Sequence, residues 1–253
     1  MSTEHVRYLD AHVHIDSYSD AQLNDVLAEL ERFGMRSIAV AVDPSSYERS
    51  CQIAQRSPWV VPTFGIHPWR ATAYAERLDQ LDELIASSPM LGELGLDTVW
   101  VEDPVGSYPA QERVLRYFLQ AARQQQKIVN LHTKGAEAQI LALLEEYSIE
   151  RAIIHWYSGP LEIADDLIKR GCLFTIGVEL EHSPLIQELA QRIPPGQLLS
   201  ETDNPSGVEW LSGEVGFPRH MLPVVSRLAA LRGLEEEALR VQLLENAQAF
   251  GLL

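Results

Sequence analysis

The chain has 253 residues, 46% of them apolar, and a formal net charge of −16. This length and apolar share allow a sizeable buried core. So large an acidic excess, with no Lys/Arg cluster, disfavours a nonspecific electrostatic grip on duplex DNA and leaves room for a short substrate held by metal ions. The two cysteines, Cys51 and Cys172, fit no metal or disulfide spacing, as suits a reducing compartment. No basic, apolar leader opens the chain and no apolar run reaches bilayer length, so a cytoplasmic protein with no membrane contact is expected.

In chain order, apolar β-branched runs alternate with segments of helical period. Strands are expected at Val6–Asp10, Ser37–Val42, Val60–Phe64, Met90–Gly92, Ile128–Leu131, Arg151–Ile154, Leu173–Ile176 and Gln197–Ser200. Helices are expected between them at Ala21–Phe33, Ser46–Gln55, Ala75–Ser87, Ala110–Gln125, Gly135–Glu146, Pro160–Arg170 and Pro184–Arg192. Two more, Arg219–Leu231 and Leu234–Ala249, follow the last strand. Repeated βα units imply an α/β fold with a parallel sheet. Eight of them in a chain near the ~250 residues typical of such folds favour a single (β/α)8 TIM barrel. The barrel is expected to fill residues 1–253 as one domain, with the C-terminal helices closing its outside. An open dinucleotide-binding sheet fits less well, because no Gly-x-Gly-x-x-Gly follows the first strand.

Barrel enzymes carry their reactive groups at the C-terminal ends of strands. The first strand runs into Asp10-Ala11-His12-Val13-His14, where alternation puts Asp10, His12 and His14 on one face. Two imidazoles one strand-step apart can chelate one divalent ion. Later strands run into Gly65-Ile66-His67-Pro68, Gly92-Glu93-Leu94-Gly95-Leu96-Asp97 and Leu131-His132-Thr133-Lys134. His155-Trp156-Tyr157-Ser158-Gly159 and Glu201-Thr202-Asp203-Asn204-Pro205 complete the series. Five of the eight histidines fall in these few places. Imidazole mixed with carboxylate is the donor set of a Zn, Mn, Fe or Mg site. Glu93 has two oxygens and can bridge two ions; ions ~3.5–4 Å apart share a water and lower its pKa. Asp203 is the candidate for moving the proton. Taken singly, His132 and His155 read equally well as structural hydrogen-bonding residues. Asp203 before Asn-Pro also reads as a turn or helix cap. The Trp100-Val101-Glu102 stretch and Trp210 read as packing or rim residues, and His5, His182 and His220 as surface or local structural ones.

In their order and spacing these motifs resemble the TatD family of metal-dependent hydrolases, among the amidohydrolase-type barrels. D-A-H-V-H, G-I-H-P, G-E-L-G-L-D, L-H-T-K-G-A, H-W-Y-S-G and E-T-D-N-P carry the resemblance, and Glu245–Leu252 looks like the family's last-helix signature. The resemblance implies that His12, His14, Asp203 and Glu93 bind one metal, and that Glu93 bridges to a second held by His132 and His155. It further implies that Asp203 acts on the nucleophilic water and that His67 contacts the scissile group. Two divalent ions (Mg, Mn or Zn) are the implied cofactors, and DNA ends or single-stranded DNA the implied substrate. The sequence departs from the family pattern at Lys134, where an Arg is usual; Lys loses the bidentate fork for phosphate. It departs again at Thr98, in place of a Tyr, and in the Asn204–Gly207 and Gly216–His220 stretches.

A deoxyribonuclease is therefore expected. The alternative is a binuclear hydrolase of a small amide, ester, lactone or phosphodiester, because the same ligands activate water for carbon or phosphorus. A third reading, a non-catalytic partner protein on the same scaffold, gives no reason for so many polar groups at strand ends.

Overall fold

The structure is a computed structural model that describes residues 6–253; His5 lies outside the described residues. The strands are β1 (Tyr8–Val13), β2 (Met35–Val40), β3 (Val60–Thr63), β4 (Leu91–Asp97), β5 (Val129–Lys134), β6 (Ala152–Ile154), β7 (Leu173–Ile176) and β8 (Leu198–Ser200). The helices are α1 (Asp20–Phe33), α2 (Pro44–Ala54), α3 (Ala71–Tyr74), α4 (Asp82–Ser87), α5 (Pro104–Gln125), α6 (Glu137–Glu146), α7 (Leu161–Lys169), α8 (Pro184–Arg192), α9 (Ser206–Ser212), α10 (Met221–Arg232) and α11 (Glu236–Phe250). Among the described residues no helix is long and apolar enough to cross a membrane.

Two compact units share the chain. One comprises the chain up to Ala39, Arg49–Val61 and Phe174–Leu253; the other comprises Val40–Glu48 and Pro62–Leu173. In the first, β1 pairs in parallel with β2 from Tyr8↔Met35 to Asp10↔Ser37, and the register then shifts before Val13. Strand β7 pairs in parallel with β8 from Phe174↔Leu198 to Ile176↔Ser200. The Ser200 hydroxyl donates to the Leu9 carbonyl at 3.0 Å, tying β8 to β1. Helix α1 starts at a capping box between Ser19 and Gln22. It buries Leu23, Val26 and Leu30, a stripe of helical period. Helix α11 lies against β1 and β8 and buries Leu239, Leu243 and Ala247.

In the second unit β4 pairs in parallel with β5, with Leu94↔Leu131 through Asp97↔Lys134 in register, and β5 pairs with β6 from Val129↔Ala152 to Leu131↔Ile154. Phe64 anchors its core, with ring centroids 5.3 Å from Tyr47 and 5.7 Å from Phe118.

Three strands outrun their expected ends. Strand β1 continues to Val13, β4 to Asp97 and β5 to Lys134, and every residue in them is buried. Glu93, His12, His132 and Lys134 are thus held on strands rather than on the loops beyond them: His132 and Lys134 pair in register with Gly95 and Asp97, and His12 and Glu93 sit where the registers of β1 and β4 shift. The helix expected at Ala75–Ser87 is broken, because Arg77 leaves helical backbone at φ −145° and only Asp82–Ser87 forms α4. Helix α5 begins before the expected Ala110: the Asp103 carboxylate accepts the Gly106 N–H at 2.9 Å and Pro104 opens the first turn.

Candidate metal centre

In the second unit, three imidazoles converge on one carboxylate oxygen. Glu93 Oε1 stands 3.0 Å from His132 Nδ1, 3.2 Å from His155 Nε2 and 3.4 Å from His67 Nε2. All four residues are buried. His67, Glu93 and His132 each offer one ligand atom, and these atoms lie within 4.8 Å of one another.

The backbone makes this convergence possible at two glycines. A Cβ on Gly65 would meet the Glu93 carbonyl at 2.3 Å, so the end of β3 can approach β4 only with no side chain there. Gly95 adopts φ +153°, and a Cβ on it would lie 1.9 Å from the His132 carbonyl. That close approach sets Glu93 and His132 side by side on neighbouring strands.

A second carboxylate orients His132. Its Nε2 lies 3.0 Å from Asp97 Oδ2. Asp97 also accepts the Trp69 Nε1–H, the Val99 N–H and the Trp100 N–H, each at 2.8 Å. Burial alone would raise the Asp97 carboxyl, but the hydrogen bonds from His132, the Trp100 and Val99 amides and the Trp69 ring outweigh it. The group is held well below the usual carboxylate range. An ionised Asp97 fixes the proton on His132 Nε2 and aims the Nδ1 lone pair at the Glu93 oxygen. A lone pair and a carboxylate oxygen at 3.0 Å repel unless a cation is shared between them or the ring takes a second proton. Carboxylate–imidazole–metal chains have this form, so the donor set fits a divalent ion. The His67 tautomer follows similarly: Nδ1 accepts the Trp69 N–H at 3.2 Å, so the neutral ring carries its proton on Nε2, facing Glu93.

Lys134 points elsewhere. Its ammonium donates to the Trp156 carbonyl at 2.6 Å and to the Ser158 hydroxyl at 2.9 Å, and lies 5.5 Å from the Trp100 ring centroid.

In the first unit, His12, His14 and Asp203 come together. Asp203 Oδ1 is 3.3 Å from His14 Nε2 and 3.7 Å from His12 Nε2, and the two rings meet edge to face at 5.2 Å. Two backbone bonds stitch the strand ends so that these side chains meet. Asp203 N–H donates to the His12 carbonyl at 3.0 Å, and His14 N–H to the Asn204 carbonyl at 2.8 Å. Asp203 sits at φ +53°, in the left-handed region that non-glycine residues rarely adopt. Asp10 shares the strand but serves another purpose. Its carboxylate takes the Thr202 hydroxyl at 2.5 Å and the Thr202 N–H at 3.0 Å, linking β1 to the segment after β8. Burial pushes Asp10 up to about 7 against those bonds.

Each unit therefore assembles its own share of the expected residues: Glu93, His132, His155 and His67 in one, His12, His14 and Asp203 in the other. Sequence reasoning assigned no role to Asp97, which becomes the hub of the Glu93 cluster. Its signal was the alternation Glu93, Gly95, Asp97 along one strand face. The Trp69 indole that binds Asp97 left no such signal.

Comparison with known proteins gives the family. Residues 9–250 match the family described as TatD related DNase. An uncharacterized metal-dependent hydrolase of Haemophilus influenzae is 27% identical over 248 residues, 95% of this chain and 98% of that protein. The human deoxyribonuclease TATDN3 is 26% identical over 216 residues, 79% of each chain. The solved structure of YjjV, a TatD homologue from Escherichia coli K12, superposes with a TM-score of 0.86 at 22% identity, covering 98% of each chain. That likeness makes the fold α/β of the TIM-barrel class, as the βα alternation led one to expect. The chain belongs to the TatD family of metal-dependent hydrolases.

Proposed function

We propose that this protein is a deoxyribonuclease that hydrolyses phosphodiester bonds at DNA ends or in single strands. The observation that carries the reading is the buried convergence of His67, His132 and His155 on Glu93 Oε1, with an ionised carboxylate behind His132. A structural role for so many polar groups around one oxygen offers no return on their desolvation. The family name and that of the human relative point to DNA.

In this reading His12, His14 and Asp203 hold one divalent ion, and Glu93, His132 and His155 a second, with Mg, Mn and Zn all compatible with mixed N/O donors. Bound divalent ions supply Lewis acidity and an attacking water of lowered pKa. The remaining work belongs to the side chains. Asp203 takes the proton of the attacking water as general base. Asp97 holds His132 in one tautomer. His67, whose Nε2 faces Glu93, stands beside the scissile group. Lys134 supports the loop after β6 and places one positive charge near the substrate. The protein works in the cytoplasm.

The test is degradation of end-labelled single-stranded DNA with Mg²⁺ or Mn²⁺ by the wild type, Glu93→Ala and Asp203→Ala. Loss of cleavage in both variants supports the reading, and equal activity in all three removes it. Hydrolysis of a small ester, amide or lactone is the second reading. The −16 net charge and the engagement of the Lys134 ammonium by its own backbone favour it. Turnover of such a substrate at a higher kcat/KM than DNA would put it first.

A further inference from the structure

Two tryptophans stand beside the Glu93 cluster with much of their surface in solvent. Trp69 is 54% exposed and Trp100 49% exposed, although tryptophan is highly buried on average. Both residues are tied to Asp97. The Trp69 indole is pinned by its Nε1–H to Asp97 Oδ2 at 2.8 Å, and its ring meets His67 edge to face at 4.8 Å. The Trp100 backbone N–H donates to Asp97 Oδ1 at 2.8 Å, and the Lys134 ammonium lies 5.5 Å from its ring centroid. One carboxylate therefore positions the imidazole of His132 and both tryptophan-bearing loops. Asp97 thus ties the Trp69 ring and the Trp100 backbone to the same group that orients His132.

We propose that Trp69 and Trp100 form a stacking platform for unpaired bases of a single-stranded substrate. The inference rests on the deoxyribonuclease reading and adds how the substrate is gripped. Every nucleobase has a flat π-face, so fixed indoles hold a strand with little regard to sequence. A duplex end offers its bases to such rings only after fraying, so single strands are the preferred substrate. Within the deoxyribonuclease reading, charge leaves little room for a grip by phosphate pairing. The protein carries 20 Lys and Arg against 36 Asp and Glu, and Lys134, the cation beside the Trp100 ring, donates to the Trp156 carbonyl and Ser158. An acidic protein that must hold a polyanion gains more from stacking than from phosphate pairing. Binding should therefore depend only weakly on salt, since each neutralised phosphate of a single strand adds about −0.7 to the slope of log K against log salt.

The experiment uses the full chain and two oligonucleotides: oligo(dT), and the same strand ending in abasic residues. Trp100→Ala is expected to raise KM for oligo(dT) roughly tenfold or more. Trp100→Phe, which keeps a flat ring, restores most of it. Trp69→Phe tests the second ring without removing its bulk. The penalty of Trp100→Ala shrinks on the abasic strand, because there is no base to stack. Independently of catalysis, oligo(dT) quenches tryptophan fluorescence of the chelator-treated protein, and the Trp69→Phe/Trp100→Phe pair loses most of that quenching. An unchanged KM on oligo(dT), an equal penalty on both strands, or no quenching overturns the platform. Quenching by oligo(dT) with cleavage of neither strand by the wild type keeps the platform and removes the nuclease reading instead.

Discussion

His132 is gripped from both sides: Nε2 lies 3.0 Å from Asp97 Oδ2 and Nδ1 lies 3.0 Å from Glu93 Oε1. One ring nitrogen thereby faces Asp97 and the other faces Glu93. Replacing Asp97 with Asn keeps the shape but removes the charge that fixes the tautomer. Partners of this kind are worth about 10–100-fold in metal affinity. Asp97→Asn should weaken binding of a divalent ion by that order, read by titrating chelator-treated protein with Mn²⁺ or Zn²⁺. Wild-type affinity in the variant would show that Asp97 serves only the loops.

His12 and His14 are expected to behave alike toward metal and differently toward folding. The His12 side chain is fully buried, while His14 keeps 15% exposure. Both His12→Ala and His14→Ala should lower metal content by elemental analysis. Only His12→Ala should leave a buried void, costing roughly 1–3 kcal/mol and a few degrees in Tm. Equal melting of the two variants would contradict this.

Lys134 makes two hydrogen bonds from a charged group in a buried position. Lys134→Ala should therefore cost stability as well as substrate affinity. A loss of roughly 2 kcal/mol, or about 4–8 °C in Tm, is expected. Metal content should hold while KM rises. A variant that melts like the wild type would mean that the ammonium is not a structural tie.

Gly95 is the tightest joint in the cluster, with φ +153° and the His132 carbonyl 1.9 Å from any added Cβ. Gly95→Ala must push β5 away from β4 and carry His132 with it. Circular dichroism melting should show a large destabilisation, and metal binding should fall with it. Retention of both would mean that the strands part at little cost.

Burial pushes the Cys172 thiol up to about 12, with Arg170 offsetting only part of that. A thiol so rarely ionised at pH 8 reacts slowly. Iodoacetamide at pH 8 should leave Cys172 unmodified in the folded protein and alkylate it in guanidinium, as read by peptide mass spectrometry. Rapid modification in the native state would contradict its burial.

The strand order and the strand-end positions of the polar donors were legible because both are local. Alternating apolar residues mark β1, β4 and β5, and His12, Glu93, His132 and Asp203 each lie within or just beyond an apolar run. What escaped the sequence was pairing across the chain. Asp97 and Trp69 are 28 residues apart, and their hydrogen bond depends on how the ends of β3 and β4 meet. Asp10 illustrates the same limit. Alternation puts it on the face of His12, yet its carboxylate turns to Thr202, 192 residues away, because a buried acid must find donors wherever the fold supplies them. The break at Arg77 was equally hidden, since the apolar spacing of Leu81 and Ile85 suits one helix or two short ones.

By itself the sequence determined the parallel βα alternation, the donor types and the spacing that places each donor at a strand end. These depend on side-chain period and chemistry, which any short window carries. Only the tertiary structure decided which nitrogen of His132 faces Glu93, that Asp97 commands it, and that two tryptophan rings stay in solvent beside it. Those outcomes depend on distances between residues far apart in the chain, and backbone approach at Gly65 and Gly95 sets them.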